Sequence, residues 1–481
     1  MAHQAAAASV SAGVDALKRR ALAGVMLSVF LGAMESTVVA TAMPIVAKSL
    51  GGVEIYAWVF TAFLLTSTVT MPLWGRLSDL YGRRPTFLTG LAIFLVGTTL
   101  SGVAADMTQL IVFRALQGLG AGSLMTVGMT IVADLFGLER RAKMQGYISG
   151  VWGVASLVGP LVGGFLTDHV SWRWVFYINL PFGLLAMAMI ATGLRGAPRP
   201  LTKPVIDYPG LALFTAGISG LLYGISVGGM RGFASASALG PVVIGAAALV
   251  AFLFVEHHAV APIVPLRLFR YRMLIAAVTT GFLSGMAMFG TLSFVPLFLQ
   301  AVTGASATRA GLVLTPFVLS WVVMSIVSAR LVLKLGYRVV VLAGMISLTI
   351  SFVLLARWDA SLTTGVAIRD AAFGGVGMGL SMVPMLIAVQ SAVPRADLGV
   401  ATSLTQFFRS VGGAVGVAVM GAVKTQKLEA GVPLDGALHA VFVVGLVMCV
   451  LALLSTVLIP AGRARELARE ELRGEPTRAG G

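Results

Sequence analysis

Charged residues and cysteine are both scarce in this sequence of 481 residues. Only 11% of the residues are charged, whereas 58% are hydrophobic, and the mean hydropathy is +0.94. These values fall outside the range of soluble domains and indicate a membrane protein. The one cysteine, Cys449, lies in an apolar run. The sequence therefore offers neither a disulfide framework nor a thiolate metal site.

Catalytic and cofactor motifs are missing as well. GISVG (Gly224 to Gly228) spells a nucleophile motif, but it lies in an apolar run without the strand, turn and helix that this motif requires. GLGAG and GVGMG (Gly118 to Gly122, Gly375 to Gly379) lack the strand and the lysine of a phosphate-binding loop. His257 and His258 have no third metal ligand in view. We expect no cofactor, no metal and no enzymatic activity, so transport would draw on an ion gradient or on the substrate's own gradient.

Long apolar runs are what the chain has in abundance. A helix of about 20 apolar residues crosses the hydrocarbon core of a bilayer. Each such run must be helical, because lipid offers the backbone no other hydrogen-bond partner. We predict an all-α membrane protein with fourteen spans, near 21–44, 56–75, 86–105, 108–133, 144–167, 174–194, 208–229, 235–255, 273–301, 310–329, 339–356, 371–393, 398–423 and 440–461.

By our count 24 of the 34 basic residues would lie on one side of the membrane, in the loops on that side and in the two terminal tails. The enrichment of Lys and Arg on the inner side of membrane proteins places both termini in the cytoplasm. The net charge of +15 is explained by this bias and needs no nucleic acid partner. We expect a multi-pass protein of the cell membrane, with the lipid bilayer as its surroundings.

Charge within the spans is confined to Glu35, Arg114 and Arg409, while Asp370 lies at the outer edge of the twelfth span. A charge at the centre of a membrane helix costs about 2.5–3.5 kcal/mol on insertion scales, so it usually faces a bundle interior or a watery cavity. For the two arginines, a structural role and a functional role are equally compatible with the sequence. Desolvation favours the neutral acid of Glu35. We therefore favour proton coupling or cation binding for Glu35 over a packing role.

An internal repeat divides the spans into two sets. GRLSDLYGRR (Gly75 to Arg84) is echoed by ARLVLKLGYR (Ala329 to Arg338), and each loop would join the second and third helices of a six-helix set. Parallel repeats of this kind are typical of transporters. The predicted division is a cytoplasmic N-terminal tail (1–20), an N-terminal six-helix bundle (21–195), two extra helices (196–255), a cytoplasmic loop (256–272), a C-terminal six-helix bundle (273–461) and a cytoplasmic C-terminal tail (462–481).

Five motifs in chain order resemble the major facilitator superfamily, and within it the fourteen-span drug:proton antiporters. GRLSDLYGRR is similar to the signature cytoplasmic loop, and FRALQGLGAG (Phe113 to Gly122) is similar to the fourth-helix motif. GPLVGG (Gly159 to Gly164) resembles the fifth-helix antiporter motif. WRWVFYINLP (Trp172 to Pro181) and PIVPLRLFRYR (Pro262 to Arg272) resemble stretches of the fourteen-span branch. That branch commonly carries aspartate in its first-helix motif, where this chain has Glu35.

The resemblance implies roles for particular residues. It implies proton coupling and substrate binding for Glu35 and Arg114. Asp370, as a charge at the edge of a span, is a further candidate for this role, and Gln117 and Arg409 are predicted to be structural. A cytoplasmic gate is implied in which Asp79 approaches the start of the thirteenth span near 397–402. The gate comprises Gly75, Asp79, Gly82, Arg83 and Arg84, and the antiporter motif comprises Gly150, Gly159, Pro160, Gly163 and Gly164.

The glycines of the antiporter motif would let helices approach closely, and Pro160 is expected to kink the fifth helix.

Two functions remain open at this stage. The first is a monomeric, proton-coupled exporter of small hydrophobic or cationic drugs that works by alternating access. The second is a transporter of the same fold for one metabolite, lipid or siderophore, with or without proton coupling. A membrane enzyme or receptor is disfavoured, because the chain has neither a catalytic constellation nor a soluble domain.

Overall fold

The computed structural model describes residues 2–52, 55, 58–195, 207–233, 235–259, 262–305 and 307–462. Within these residues there is no β-strand, and fourteen helices are long and apolar enough to cross a membrane. The all-α fold class and the number of spans are therefore those predicted from the sequence. The helices are α1 (Ala2–Leu50), α2 (Trp58–Tyr81), α3 (Arg83–Val103), α4 (Met107–Leu135), α5 (Leu138–His169), α6 (Trp174–Gly193, interrupted at Ile178), α7 (Tyr208–Arg231), α8 (Ala236–His258), α9 (Arg272–Ala301), α10 (Ala307–Leu335), α11 (Tyr337–Leu355), α12 (Thr364–Ala392), α13 (Leu398–Glu429) and α14 (Leu434–Ser455).

Most helices extend beyond the apolar runs that predicted them, because a helix ends at its cap and not where hydrophobicity stops. Asp106, for example, starts α4 by accepting a hydrogen bond from the Gln109 N–H at 2.8 Å. The N-terminal residues predicted as a tail continue α1, which begins at Ala2. The predicted loop residues 196–206 and the tail from 463 onward lie outside the described residues.

The two repeated loops share a backbone feature. Gly82 (φ 91°) directly precedes α3, and Gly336 (φ 83°) directly precedes α11. Glycine adopts positive φ without the steric penalty that a Cβ imposes. The glycine match in the sequence repeat therefore marks an equivalent sharp turn in each loop.

The first compact unit comprises Met1–Gly137, Val151–Val205 and Ala396–Ser403. In it α4 packs against α1, α2 and α3, while α6 packs against α1 and α3. Close approach between the helices depends on small residues. A Cβ on Gly120 of α4, for example, would overlap the backbone of Phe94 on α3.

The second compact unit comprises Leu138–Gly150, Ile206–Arg395 and Leu404–Gly481. Here α12 packs against α9, α10 and α11, while α14 packs against α9 and α11. This order of contacts is the same as that of α4 and α6 in the first unit, so the two six-helix sets are structural repeats. The two extra helices, α7 and α8, pack mainly against each other. The start of α5 belongs to the second unit and the start of α13 to the first, so neither unit is one continuous stretch of chain.

Candidate functional site

A buried ion pair lies within the first unit. Arg114 on α4 donates from Nη1 to the Glu35 carboxylate on α1, and each of the two side chains is only 1% exposed. The pair brings together two of the three charged residues that the sequence placed inside spans. Two opposite charges removed from water are tolerated only when they compensate each other and their remaining polar atoms find partners.

Polar side chains from three helices complete this arrangement. Asn179 on α6 donates from Nδ2 to Glu35 Oε2 at 2.6 Å and to Thr98 Oγ1 of α3 at 3.1 Å. Arg114 Nη1 also donates to Gln117 Oε1 at 2.7 Å. We call these five residues, Glu35, Thr98, Arg114, Gln117 and Asn179, the Glu35 cluster.

Aromatic rings and backbone form the wall around the guanidinium. The Cζ atom of Arg114 lies 4.2 Å from the centre of the Phe63 ring and 6.0 Å from that of Phe176. Arg114 Nε donates to the Val59 carbonyl oxygen at 3.4 Å. A cation over the face of an aromatic ring is stabilised by the ring quadrupole. Arg114 therefore retains favourable contacts that do not depend on the charge of Glu35.

The amide groups of the cluster can respond to a change in that charge. Within the described part of the chain, Asn179 Oδ1 and Gln117 Nε2 are buried without a hydrogen-bond partner. An amide presents an acceptor on one side and donors on the other. Rotation of the Asn179 amide would replace its N–H donor by an oxygen that can accept from a protonated Glu35. The cluster can thus accommodate both the carboxylate and the acid.

Sequence reasoning found Glu35, Arg114 and Gln117 but missed Thr98 and Asn179. Thr98 gave no signal, since a hydroxyl in an apolar helix usually bonds its own backbone. Asn179 did give one, because it is the only asparagine in the chain and lies in the WRWVFYINLP motif. A polar amide within a membrane span costs free energy, so it usually indicates a functional site.

The loop between α2 and α3 holds a second charged contact. Asp79 accepts hydrogen bonds from the backbone N–H groups of Gly399 and Val400, each at 2.9 Å. Both groups belong to the first turn of α13, which is where the sequence predicted that Asp79 would dock. A carboxylate satisfies the free N–H groups and the positive dipole of a helix start. Arg83 forms an ion pair with Asp79.

Neighbouring residues tighten this contact. A Cβ on Gly75 would collide with Ser403 Oγ and the Gly399 carbonyl oxygen, so only glycine permits this approach of α2 to α13. Arg83 also donates to Asp134 Oδ2 on α4 at 2.7 Å, whereas Arg84 Nε is buried without a hydrogen-bond partner in the described part of the chain. Four of the five predicted gate residues, Gly75, Asp79, Gly82 and Arg83, therefore build the loop and its contact with α13.

The glycines of the predicted antiporter motif fall into two groups. Gly159 and Gly163 on α5 face α1, where a Cβ would overlap Thr37 Oγ1 or Thr41 Oγ1. Gly150 makes only an ordinary contact, and Gly164 has open space around it. The helix continues through Pro160, which is exposed. Two of the four glycines therefore pack closely against α1, the helix that carries Glu35.

Asp370 and Arg409 belong to the second unit. Asp370 is buried and accepts from Trp358 Nε1 at 3.0 Å and from Arg369 Nε at 2.8 Å, so it anchors the loop between α11 and α12. A part of Asp370 in proton coupling stays a prediction. Arg409 Nη1 lies 3.7 Å from Met382 Sδ, and Arg409 makes no ion pair with any described residue.

Two related six-helix sets with charged groups inside them are the architecture of secondary transporters, and that class follows from the fold and the buried cluster together. The particular family follows from comparison with known proteins. The family described as Major Facilitator Superfamily matches residues 25–417. This chain belongs to the Major Facilitator Superfamily and is a secondary transporter, not an enzyme.

Similar proteins support the assignment. The chain is 40% identical to "Multidrug transporter protein MdtP" of Bacillus subtilis over 408 residues, which cover 84% of this chain and 75% of that protein. It is 36% identical to "Multidrug resistance protein 3" of the same organism, over 84% of this chain and 78% of the relative. The structure of the human organic anion transporter MFSD10 matches with a TM-score of 0.65 at 18% identity, over 90% of this chain and 99% of that one. At that identity the match shows the fold alone.

Proposed function

We propose that this protein is a proton-coupled antiporter that exports small hydrophobic or cationic compounds across the cell membrane. The single observation that carries the proposal is the Glu35–Arg114 pair, buried inside an apolar helix bundle and held by Asn179. Ionisable groups in that position are expensive and mark ion or substrate pathways. The names of the two Bacillus relatives support drug export. Both termini would lie in the cytoplasm, and the transporter would act as a monomer.

The proton and the substrate would compete for one carboxylate. Ionised Glu35 attracts Arg114 or a cationic substrate, whereas a proton on Glu35 removes that attraction and releases the cation. Asn179 would turn its amide to accept from the new O–H group, while Arg114 stays over the Phe63 ring. In this scheme, proton entry drives the exit of the cation.

Alternating access also requires a contact that can open and close. The Asp79 contact with Gly399 and Val400 suits this role, because it joins α2 to the start of α13 by two hydrogen bonds. Arg83 would stabilise the charged form of Asp79 by pairing with it. In this proposal the contact forms when the cytoplasmic side is closed and breaks when that side opens.

The test is export driven by a pH gradient in proteoliposomes. Glu35→Gln mimics the neutral acid, so we expect it to abolish gradient-driven export of a cationic dye while the protein still inserts and folds. Glu35→Asp should retain part of the activity, because the carboxylate is kept but lies one methylene further away. Glu256→Gln, the same change at a buried carboxylate of α8, serves as the control and should export normally. Full proton-coupled export by Glu35→Gln would refute the proposal.

A further inference from the structure

A pocket in the second unit is not used by the proposed proton site. It is a small opening lined by residues of α9, α12 and α13. Six of its ten lining residues are polar or charged, and the others are two methionines, an alanine and a glycine. Its charged member is Arg409.

Arg409 lies deep in the membrane-spanning part of α13. The helix rises about 1.5 Å per residue, so Arg409 lies roughly 16 Å along the axis from Leu398. The only partner of its guanidinium among the described residues is Met382 Sδ, 3.7 Å from Nη1. A thioether is a weak acceptor and carries no charge. The cation is therefore uncompensated within the described structure, unlike Arg114.

The backbone around Arg409 is fixed by close packing. A Cβ on Gly285 of α9 would overlap the Arg409 carbonyl oxygen, and one on Gly412 of α13 would overlap the Phe282 backbone. The two helices therefore touch through their main chains just beside the arginine. This packing holds Arg409 at the pocket, although a long arginine side chain would otherwise reach toward the membrane surface.

A second donor faces the same space. Gln406 precedes Arg409 by three residues, a spacing that places both side chains on one face of α13. Its buried side chain makes no hydrogen bond to another described residue. The hydroxyls of Ser284 and Ser381 already donate to carbonyl oxygens of their own helices, at 3.3 and 2.7 Å. The pocket thus offers unused N–H donors and a positive charge, and the group that would complement both is an anion.

We infer that this pocket binds the carboxylate of an amphiphilic organic anion or zwitterion. Arg409 would hold the carboxylate through its planar fork of N–H donors, and Gln406 would add a further N–H bond. The apolar body of the ligand would lie against Met382 and Met385, whose flexible thioethers adapt to different shapes. The inference rests on the proposed function for the direction of transport and widens its substrates from cations to compounds that carry a carboxylate.

The test compares two dyes that differ only in that carboxylate. Rhodamine 123 is the methyl ester of rhodamine 110, whose free acid is fluorescent in its open carboxylate form. Fluorescence anisotropy measures their binding to the full chain in lipid nanodiscs, without any proton gradient. We expect the wild-type protein to prefer the acid, and Arg409→Gln to weaken acid binding by about tenfold or more while ester binding stays the same. Lys334→Gln removes an exposed charge of the same unit and should leave both affinities unchanged.

The binding measurements give results that either support or overturn the inferred carboxylate site. Equal affinity of the wild-type protein for acid and ester would overturn the inference, as would equal losses for both dyes in Arg409→Gln. If that variant fails to fold, Gln406→Leu should still weaken acid binding selectively, and an unchanged acid preference there would overturn the inference. Binding and export can fail separately. A protein that prefers the acid but does not exchange protons for dyes would refute the proposed function and leave this site standing.

Discussion

The two arginines inside the spans, Arg114 and Arg409, have the same charge but opposite surroundings. Arg114 is paired with Glu35 and supported by an amide and an aromatic ring. Arg409 lines a pocket and has only a thioether beside it among the described residues. In the first unit the protein itself supplies the counter-charge, so a proton can remove it. In the second unit the counter-charge is absent from the described protein, so a ligand can supply it.

Both arginines are nevertheless held by similar packing. On α4, a Cβ at Gly118 would overlap the Phe63 carbonyl oxygen and Thr66 Oγ1. On α9, a Cβ at Gly285 would overlap the carbonyl oxygen of Arg409. Small residues bring helix backbones together in membranes. The difference between the two sites therefore lies in their side-chain partners and not in how firmly their helices are placed.

The largest expected effect is a difference in the free energy of unfolding between variants of the two arginines. Arg114→Gln leaves Glu35 buried without its partner, and breaking a buried pair on one side costs about 3–5 kcal/mol. Arg409→Gln removes a charge that has no counter-ion among the described residues. The free energy of unfolding of this variant should therefore equal or exceed that of the wild-type protein. The unfolding temperatures of both variants and of the wild-type protein, measured in the same detergent, test this difference.

A double variant controls for the loss of a side chain. Glu35→Gln with Arg114→Gln removes both charges and should recover much of the stability lost in Arg114→Gln alone. A large loss in Arg409→Gln, equal to that in Arg114→Gln, would instead show that Arg409 is compensated within the fold.

The second effect concerns Asn179. A variant of this residue should change the pH dependence of export, which the Glu35 cluster sets and the pocket beside Arg409 does not. Asn179→Leu removes the N–H that stabilises ionised Glu35, a bond to a charged group worth about 1.5–3 kcal/mol. Loss of this bond favours the protonated acid, so the pH profile of export should move to higher pH. The measurement is dye efflux at a fixed gradient over a series of internal pH values. Thr192→Val, a change of similar kind on the same helix, should leave the profile in place, and an unmoved profile in Asn179→Leu would contradict the assigned role.

The fold could be read from the sequence further than the site could. Apolar length alone predicts fourteen helices, because lipid leaves a spanning backbone no alternative to the helix. The docking of Asp79 on α13 was implied by the family resemblance of its motif together with the Gly–Asp–Gly spacing. Asn179 did not follow as a partner of Glu35, because the pairing joins α1 to α6 and depends on side-chain directions that no local pattern encodes.

The different surroundings of the two arginines could not be predicted from the sequence either. Arg114 and Arg409 both appear as single cations in apolar runs with small residues nearby. Only the three-dimensional packing shows that a carboxylate of α1 reaches Arg114 and that a pocket opens beside Arg409. The predicted structural role of Arg409 therefore rested only on its position in an apolar span, which is equally compatible with ligand binding.

A third prediction sharpens the comparison through the backbone beside Arg409. Gly285→Ala places a methyl group against the Arg409 carbonyl oxygen, and overpacking of this kind costs about 1–3 kcal/mol. The shift of α13 should lower the preference for rhodamine 110 over rhodamine 123 without changing the pH dependence of export. Gly311→Ala, where a Cβ meets no atom within 4 Å, is the matched control. A changed pH profile in Gly285→Ala would show that the pocket and the proton site do not act separately.

The smallest expected effect is at Asp79, whose charge is compensated by a helix start as well as by an arginine. Asp79→Asn keeps the shape of the side chain but loses the attraction to the dipole of α13, about 0.3–1 kcal/mol, or roughly a twofold to fivefold change in population. Ser403 is fully buried beside Gly75, so Ser403→Cys in a protein whose Cys449 is replaced by Ala reports when this contact opens. We expect the rate of thiol labelling to rise by that factor in Asp79→Asn, because the open state becomes more populated. Asp359→Asn, at an exposed loop, should not alter the rate. An unchanged labelling rate in Asp79→Asn would mean that close packing at Gly75 holds the contact by itself and that the charge of Asp79 does not control its opening.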